Sequence, residues 1–278
     1  MQDLCGAGQN HTVVDSVRIT GNLIAGLEAK KLVHFKTRLG IAIDIINFLS
    51  FGQAVHINIA FIIHKVHCNH INVSASRQHN LKNLNMTPEE SVAGFASCVQ
   101  AAESHGIEIS GSISMPFASP WEGRIPQEDV DAIIQAYLKV GIKEISLSDA
   151  SGMAVPNQVF DMCAHVREVY PQISWWLHFH NTRGLAMANI LAAMEVGMTQ
   201  FDSSFGGLGG CPFVPGAAGN ISTEDVLHMC EESGINTGID IVKVIALSCQ
   251  LRQLLGHDTD SYILRAGRSR DLIRTSSN

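Results

Sequence analysis

The sequence lacks the cysteine pattern of a disulfide framework. Its 278 residues include seven cysteines, an odd number, and no two of them are spaced as Cys-x-x-Cys. Disulfide frameworks use paired cysteines in oxidising compartments, whereas cysteines in a reducing compartment stay free. We therefore expect a cytoplasmic protein without structural disulfides. The cysteines stand at positions 5, 68, 98, 163, 211, 230 and 249.

Charged residues are also scarce, and the chain has no excess of positive charge. Lysine, arginine, aspartate and glutamate together make up 16% of the residues, and the formal net charge is -7. Such a chain has no general electrostatic attraction to a nucleic-acid backbone, so we predict no nucleic-acid partner. The hydrophobic fraction of 46% is sufficient for a sizeable core and argues against disorder.

No segment has the pattern of a secretory signal or a membrane span. The N-terminus has no basic stretch followed by an apolar run. Residues 39–63 are apolar and long enough to cross a bilayer, but they contain Asp44, Asn47 and His56 among other polar residues. Polar groups at that density are costly in hydrocarbon. We predict buried strands or a core helix there, and no membrane association.

From residue 71 onward, strand-like and helix-like segments alternate. Thr87 is the expected N-cap of a helix that runs to Ser104, with Pro88 at its first position and Glu90 at its third. This rhythm predicts an α/β fold with a parallel sheet, and a chain of this length fits a single-domain (β/α)₈ TIM barrel. The predicted strands are 70–75, 107–114, 144–149, 174–180 and 199–204; further helices are expected after Pro126 and Pro156, over 184–196 and after Ser222.

Residues 1–70 follow the rhythm poorly. A barrel of eight strands needs three of them from this segment, because five are predicted after it. Candidate strands are 13–20 and 56–63, a candidate helix is 22–32, and residues 39–49 fit either. We therefore describe residues 1–70 as an atypical N-terminal segment, in which the first two to three β/α units are irregular or incomplete. Residues 71–278 form the barrel body.

A histidine pair ends one predicted strand. In residues 174–180 the side chains alternate, so that Leu177 and Phe179 point one way while His178 and His180 point the other. Residues two apart on a strand lie about 7 Å from each other, and two imidazoles at that spacing can converge on one metal ion. The alternative is a pair of polar residues at a strand end. In a barrel, this strand end belongs to the catalytic face.

A glycine-rich loop follows the last predicted strand. Four glycines within residues 206–210 allow unusual backbone dihedral angles and a close approach to a ligand. Cys211 ends this run and is followed by Pro212. Such a loop can close over a site, and its thiol can transfer a proton or act as a nucleophile. The alternative is a flexible surface loop with an incidental cysteine.

Two further polar residues are candidates for the site. Asn220 can supply a carbonyl oxygen to a hard cation, or it is a turn residue before the helix at Ser222. Asp149 ends a strand and is either an active-site acid or base or a loop-capping aspartate. The polar residues between 74 and 82 form either a loop that touches a substrate, with Lys82 meeting a phosphate, or a solvated loop, which is what we expect. The histidine-rich run 64–70 fits no ligand pattern with a clear mechanism.

Together these segments resemble the hydroxymethylglutaryl-CoA lyase family over about residues 71–255. The resemblance rests on the histidine pair 178–180, on the strand that ends at Asp149, and on the Gly-Gly-Leu-Gly-Gly-Cys-Pro run at 206–212. It also rests on residues 73–76, 79–83 and 85–91, and on Gly219-Asn220 with Thr223-Glu224-Asp225. The Gly-rich loop, the cysteine and the histidine pair, found together, form a specific combination.

The resemblance implies a (β/α)₈ barrel that cleaves 3-hydroxy-3-methylglutaryl-CoA into acetyl-CoA and acetoacetate, as in leucine degradation and ketone-body formation. It implies a divalent cation, Mg²⁺ or Mn²⁺, with His178, His180 and Asn220 as its ligands. It also implies that Cys211 takes part in catalysis and that Asp149 is an active-site acid or base. In such a retro-Claisen cleavage, a base removes the C3 hydroxyl proton, the C2–C3 bond breaks, and the departing enolate is protonated.

Three family features have no counterpart in this sequence. The family's first strand ends in Arg-Asp-Gly, which supplies a metal-binding aspartate and an arginine that stabilises the enolate, and no Arg-Asp-Gly occurs here. The catalytic glutamate of the family's second strand has no recognisable match in residues 1–70. Asn181-Thr182-Arg183 replaces the frequent Asp-Thr-Tyr, which bears on the acyl specificity. We therefore predict impaired activity for this chain.

Two other functions fit the same residues. A related barrel condenses acetyl-CoA with a 2-oxo acid and also carries an H-x-H pair, although residues 209–212 favour the lyase. A catalytically dead barrel that binds metal without turnover is consistent with the missing Arg-Asp-Gly. For the lyase, the expected partners are an acyl-CoA substrate and a second copy of the chain in a homodimer.

Overall fold

Strands and helices alternate along the chain in the computed structural model, which describes residues 16–19, 68–210, 214, 216 and 219–273. The strands are β1 (Ser16–Ile19), β2 (Cys68–Ser74), β3 (Glu108–Ser114), β4 (Ala118–Ser119), β5 (Gly123–Arg124), β6 (Glu144–Asp149), β7 (Ser174–Phe179) and β8 (Gln200–Ser203). The helices are α1 (Arg77–Leu84), α2 (Pro88–Ala93), α3 (Phe95–Glu103), α4 (Gln127–Lys139), α5 (Pro156–Val169), α6 (Ala186–Glu195), α7 (Thr223–Glu232), α8 (Ile241–Leu255), α9 (Tyr262–Ala266) and α10 (Ser269–Leu272).

Within the described residues, six strands form one sheet in the order β1-β8-β7-β6-β3-β2, and every pairing in it is parallel. This is the α/β architecture that the sequence predicts, and it is that of a partial (β/α)₈ barrel. β1 pairs with β8, as the first strand of a closing barrel pairs with its last. The further strands of a closed barrel, and the candidate elements between 20 and 67, lie outside the described residues.

Local sequence determines where the helices begin. Thr87 and Glu90 form a capping box at the start of α2, with Pro88 at the first position, as expected. The prediction of a single helix over 88–104 is wrong in one respect, because the structure has two helices, α2 and α3, divided at Gly94. Glycine is a weak helix former, and the N–H of Gly94 donates to Ser91 O.

The region expected to be a solvated loop between 74 and 82 is instead largely helical. α1 begins there at Arg77 after an N-cap at Ser76, and it buries His79 and Asn80. Asn80 accepts a hydrogen bond from Ser74 N and donates to Met86 O and Ser91 Oγ. These contacts on both sides of the helix satisfy the buried amide, and they explain why a polar sequence forms packed structure here. The β4–β5 hairpin was also not predicted.

The main hydrophobic core lies between the sheet and its helices. Leu177 and Phe179 of β7 belong to it, as do Ile145 and Leu147 of β6. Trp176 and His178 do not, so the predicted alternation along β7 is confirmed. The opposite, barrel face of the sheet carries polar side chains near the carboxyl ends of the strands. In the described part of the chain, no helix is long and apolar enough to span a bilayer.

Candidate active site

A row of polar residues crosses the barrel face of the sheet in register. Ser114 of β3 pairs with Ser148 of β6, Ser148 pairs with His178 of β7, and His178 pairs with Asp202 of β8. On the far side of β8, the backbone of Arg18 lies opposite Asp202. Barrel interiors are usually filled by Val, Ile and Leu. A polar row at the carboxyl ends of the strands therefore indicates a site rather than a packing layer.

The two histidines lie side by side, as predicted. Their ring centroids are 5.3 Å apart and the rings are tilted by 55°. Burial lowers the pKa of His178 to about 4; the neighbouring Asn220 side chain opposes this shift, and His70 adds to it. Burial, followed by the proximity of His178, lowers the pKa of His180 to about 3. Both imidazoles are therefore neutral near pH 7, the state in which imidazole binds metals.

Asn220 reaches the pair although it lies 40 residues further along the chain. Residues 219–221 run antiparallel to 179–181: Ile221 N donates to Phe179 O, Asn181 N donates to Gly219 O, and His180 and Asn220 form a bridge. Gly219 has a φ of +106°, and a Cβ there would lie 2.2 Å from Gly209 O. Only glycine can occupy this position, which explains the Gly219-Asn220 dipeptide.

Two buried polar atoms at this junction have no hydrogen-bond partner among the described residues. They are His180 Nδ1 and Asn220 Oδ1. Asn220 Oδ1 is close enough to His178 to influence its pKa, but its geometry is not that of a hydrogen bond. Buried polar groups are rarely left unpaired in folded proteins, and a bound cation would satisfy an imidazole nitrogen and an amide oxygen at this junction. The histidine pair and Asn220 are thus brought together as the sequence predicts.

Asp202 is a residue of the site that the sequence reasoning missed. It is 7% exposed, and its Oδ2 lies 3.8 Å from His178 Nδ1. A carboxylate beside one ring nitrogen holds an imidazole in orientation while the other nitrogen faces a metal. The signal was available, because Asp202 and His178 occupy neighbouring parallel strands and their side chains share the barrel face.

Asp149 lies in a different environment. It pairs with Phe179, so its side chain leaves the sheet on the face that carries the hydrophobic core. It is completely buried. Its carboxylate accepts hydrogen bonds from Ser151 Oγ, Met153 N and Ala154 N in the loop that follows β6. Burial raises its pKa, and these hydrogen bonds oppose the shift. These contacts are those of a loop-capping aspartate, the alternative noted above, and its predicted role as acid or base stays a prediction.

The glycine loop is anchored at its base. Gly206 N donates to both carboxylate oxygens of Glu224, a buried residue of α7, at 3.1 and 3.0 Å. Asn220 Nδ2 donates to Leu208 O over 2.7 Å, and Ser204 Oγ donates to the same carbonyl over 2.6 Å. The loop and the histidine site are therefore connected through Asn220. Cys211 lies outside the described residues.

Among the residues that the structure describes, no three His, Cys, Asp or Glu side chains form a group that could hold a metal ion. The donor set that does assemble consists of two imidazoles and the Asn220 amide oxygen, with Asp202 beside them. A cavity of about 170 Å³ opens next to it and is lined by Asn181, Asn220, Asp260, Tyr262 and Arg265. A larger cavity of about 300 Å³, around Phe117 and Met162, contains none of the candidate site residues.

The fold and the site together define an α/β-barrel protein with a largely buried histidine pair at the carboxyl end of one of its strands. The family model described as HMGL-like matches residues 42–250, well over half of the chain. The chain therefore belongs to the HMGL-like family, and the resemblance stated from the sequence is confirmed. The family match begins at residue 42, whereas the motifs that carry the resemblance begin only at about residue 71.

Several curated relatives are about equally similar to this chain. The chain is 37% identical over 195 residues to the (R)-citramalyl-CoA lyase of Chloroflexus aurantiacus, covering 70% of this chain and 62% of that protein. It is 36% identical over 193 residues to the mitochondrial hydroxymethylglutaryl-CoA lyase of Homo sapiens, covering 69% of this chain and 59% of that one. The chain thus spans about 60% of the length of these relatives.

A solved structure agrees with this assignment. An HMG-CoA lyase from Acinetobacter baumannii, in complex with coenzyme A and 3-methylmalate, is 47% identical with a TM-score of 0.71, over 75% of this chain and 68% of that chain. Relatives include a cytoplasmic enzyme from Danio rerio as well as mitochondrial ones, so the compartment of this chain stays a prediction.

Proposed function

We propose that this chain is a divalent-metal-dependent carbon–carbon lyase for a 3-hydroxyacyl-CoA, with 3-hydroxy-3-methylglutaryl-CoA as the leading substrate. The observation that carries the proposal is the junction of the neutral His178–His180 pair with the unpartnered Oδ1 of Asn220. Family membership and the names of the relatives favour a lyase over the condensing alternative.

The residues present fit a divalent cation. His178, His180 and Asn220 would hold it through two neutral imidazole nitrogens and one amide oxygen, a set without thiolate. The expectation of Mn²⁺ or Mg²⁺ follows from the family resemblance. When bound, the cation lowers the pKa of the substrate's C3 hydroxyl and stabilises the oxyanion. Asp202 would keep His178 in orientation from its Nδ1 side.

The chain's own groups would move the protons. In the proposed reaction, a base, for which Asp149 is the candidate that the resemblance implies, takes the proton of the C3 hydroxyl. The C2–C3 bond then breaks, and acetoacetate and the enolate of acetyl-CoA form. Cys211, which follows the glycine run in the sequence, would return a proton to the enolate carbon. Glu224 would fix the start of that loop through Gly206, and closure would exclude water from the reactive enolate.

An assay with purified chain tests this proposal. Incubation with 3-hydroxy-3-methylglutaryl-CoA and Mg²⁺ or Mn²⁺ is expected to yield acetoacetate and acetyl-CoA in equal amounts, at a rate below that of a family member with Arg-Asp-Gly. Full turnover would overturn the predicted impairment and leave the lyase proposal intact. Consumption of acetyl-CoA with a 2-oxo acid would favour the condensing alternative.

The non-catalytic alternative needs a second measurement. Titration with Mn²⁺ is expected to show binding that the His178→Gln and His180→Gln variants weaken. Binding without any turnover would favour a catalytically dead barrel, and no binding at all would overturn the metal site. Analytical ultracentrifugation of the same samples tests the expected homodimer.

A further inference from the structure

We propose that Arg265 and the cavity around it form a subsite for the free carboxylate of the acyl group, and so determine which acyl-CoA is accepted. This inference rests on the proposed function. 3-Hydroxy-3-methylglutaryl-CoA carries a carboxylate that takes no part in the bond cleavage, and a selective enzyme needs a counter-charge for it close to the reacting carbon.

The location of the cavity is the first argument. Its lining includes Asn220, whose unpartnered Oδ1 belongs to the proposed metal site, and Asn181, which follows the histidine pair. Asn220 therefore borders both the proposed metal site and this cavity, which makes the cavity the nearest space for the part of the substrate beyond the metal. At about 170 Å³ the cavity has room for several water molecules, or for an acyl fragment of comparable size.

The state of Arg265 is the second argument. Its guanidinium lies over the ring of Tyr262, 5.1 Å from the ring centroid, and this contact limits its orientations. Within the part of the chain that the structure describes, Arg265 forms no ion pair, whereas Arg252, Arg268 and Arg270 nearby each pair with an acid. A guanidinium is well suited to bind a carboxylate through two parallel hydrogen bonds.

The carboxylate of Asp260 favours a singly charged ligand over a doubly charged one. This carboxylate lines the same cavity, and its backbone N–H donates to Gly206 O at the base of the glycine loop. A negative charge in the same lining as Arg265 disfavours a dianionic phosphate, such as that of coenzyme A. A singly charged carboxylate beside a hydroxyl or amide donor fits better, and this is the chemistry of a 3-hydroxy acyl group that ends in a carboxylate.

The experiment compares two thioesters. Binding of 3-hydroxy-3-methylglutaryl-CoA and of 3-hydroxy-3-methylbutyryl-CoA, which lacks the free carboxylate, is measured by calorimetry with Mn²⁺ on a Cys211→Ser background. Free coenzyme A is measured as a third ligand. The variants are Arg265→Gln, Arg265→Lys and, as a control, Arg252→Gln, which removes a half-buried arginine outside the cavity.

We expect Arg265→Gln to weaken binding of the carboxylate-bearing thioester about tenfold or more, the usual effect of losing a charged hydrogen bond. The other two ligands should be unaffected, and Arg265→Lys should fall between. Asp260→Asn should strengthen binding of the carboxylate ester. Equal losses for all three ligands would assign Arg265 to coenzyme A, and no loss would exclude it from the site; either result overturns the inference.

Failure of the proposed function is recognised separately. If the wild-type chain prefers the carboxylate ester, and loses this preference in Arg265→Gln, but cleaves neither thioester, the subsite stands and the lyase proposal fails. If the wild-type chain cleaves both esters with the same kcat/KM and binds them equally, the lyase proposal stands and the subsite is overturned. If it binds neither thioester, both fail.

Discussion

The side-chain amide of Asn220 donates from Nδ2 to the backbone carbonyl of Leu208 over 2.7 Å. This single bond fixes which end of the amide faces the histidine pair, because the nitrogen is engaged and the oxygen is left toward His178. It also connects the glycine loop to the proposed metal site. A movement of the loop at Leu208 would therefore alter the position of a proposed metal ligand.

Replacing Asn220 by alanine should lower Mn²⁺ affinity by at least tenfold, because the amide oxygen is lost from the donor set. Isothermal titration calorimetry measures the Mn²⁺ affinity of the variant and of the wild-type chain. Asn189→Ala is the matched control, since Asn189 is also buried and donates to a backbone carbonyl, that of Ala154. It should reduce stability by about 1–3 kcal/mol with metal affinity unchanged. Equal Mn²⁺ affinity in both variants would remove Asn220 from the site.

Asp149→Asn should destabilise the fold by about 1–3 kcal/mol, because its carboxylate accepts two backbone N–H bonds and one hydroxyl bond in a buried loop. Urea denaturation measures this loss, and Ser151→Ala, which removes one of these donors, should cost less. A variant with unchanged stability but no turnover would instead support the role of Asp149 as an acid or base.

Cys211→Ser should reduce kcat by about a hundredfold or more if the thiol transfers the proton. Mn²⁺ binding should persist, because the proposed ligands lie elsewhere. Cys98→Ser is the control, since Cys98 lies on α3 and is not part of the site. If both Cys98→Ser and Cys211→Ser keep the kcat of the wild-type chain, the cysteine on the glycine loop is not required for catalysis.

His79 should make the protein less stable in mild acid. Burial lowers its pKa to about 4, with Glu122 opposing the shift, whereas in the unfolded chain it is about 6.5. The unfolded state therefore takes up a proton first as the pH falls, and stability decreases from about pH 6.5 down to about pH 4. His79 alone should account for about 2 kcal/mol between pH 7.5 and pH 5.

The test is the free energy of unfolding as a function of pH. His79→Gln should flatten its slope below pH 6.5. His105→Gln removes an exposed histidine and should leave the slope unchanged. Identical slopes in wild type and His79→Gln would contradict the assigned environment of His79.

Local patterns in the sequence were sufficient for much of the fold. The alternation along residues 174–180 placed His178 and His180 on one face, and the Thr87–Glu90 capping box marked the start of a helix, because both depend on near neighbours. The helix at residues 77–84 was missed although Ser76 is a local N-cap signal, because its residues are mostly polar and show no apolar stripe. Its packing depends on Asn80 bonding to Ser74, Met86 and Ser91 in the folded chain.

The sequence by itself determined the family, the parallel α/β architecture and the histidine pair, since these follow from periodicity and from motifs within short segments. Only the tertiary structure decided which distant residues join the pair. Asn220 arrives through an antiparallel bridge to His180, and Asp202 arrives through strand register with His178. It also turned the Asp149 carboxylate toward its own loop, because strand pairing sets the face from which each side chain leaves the sheet.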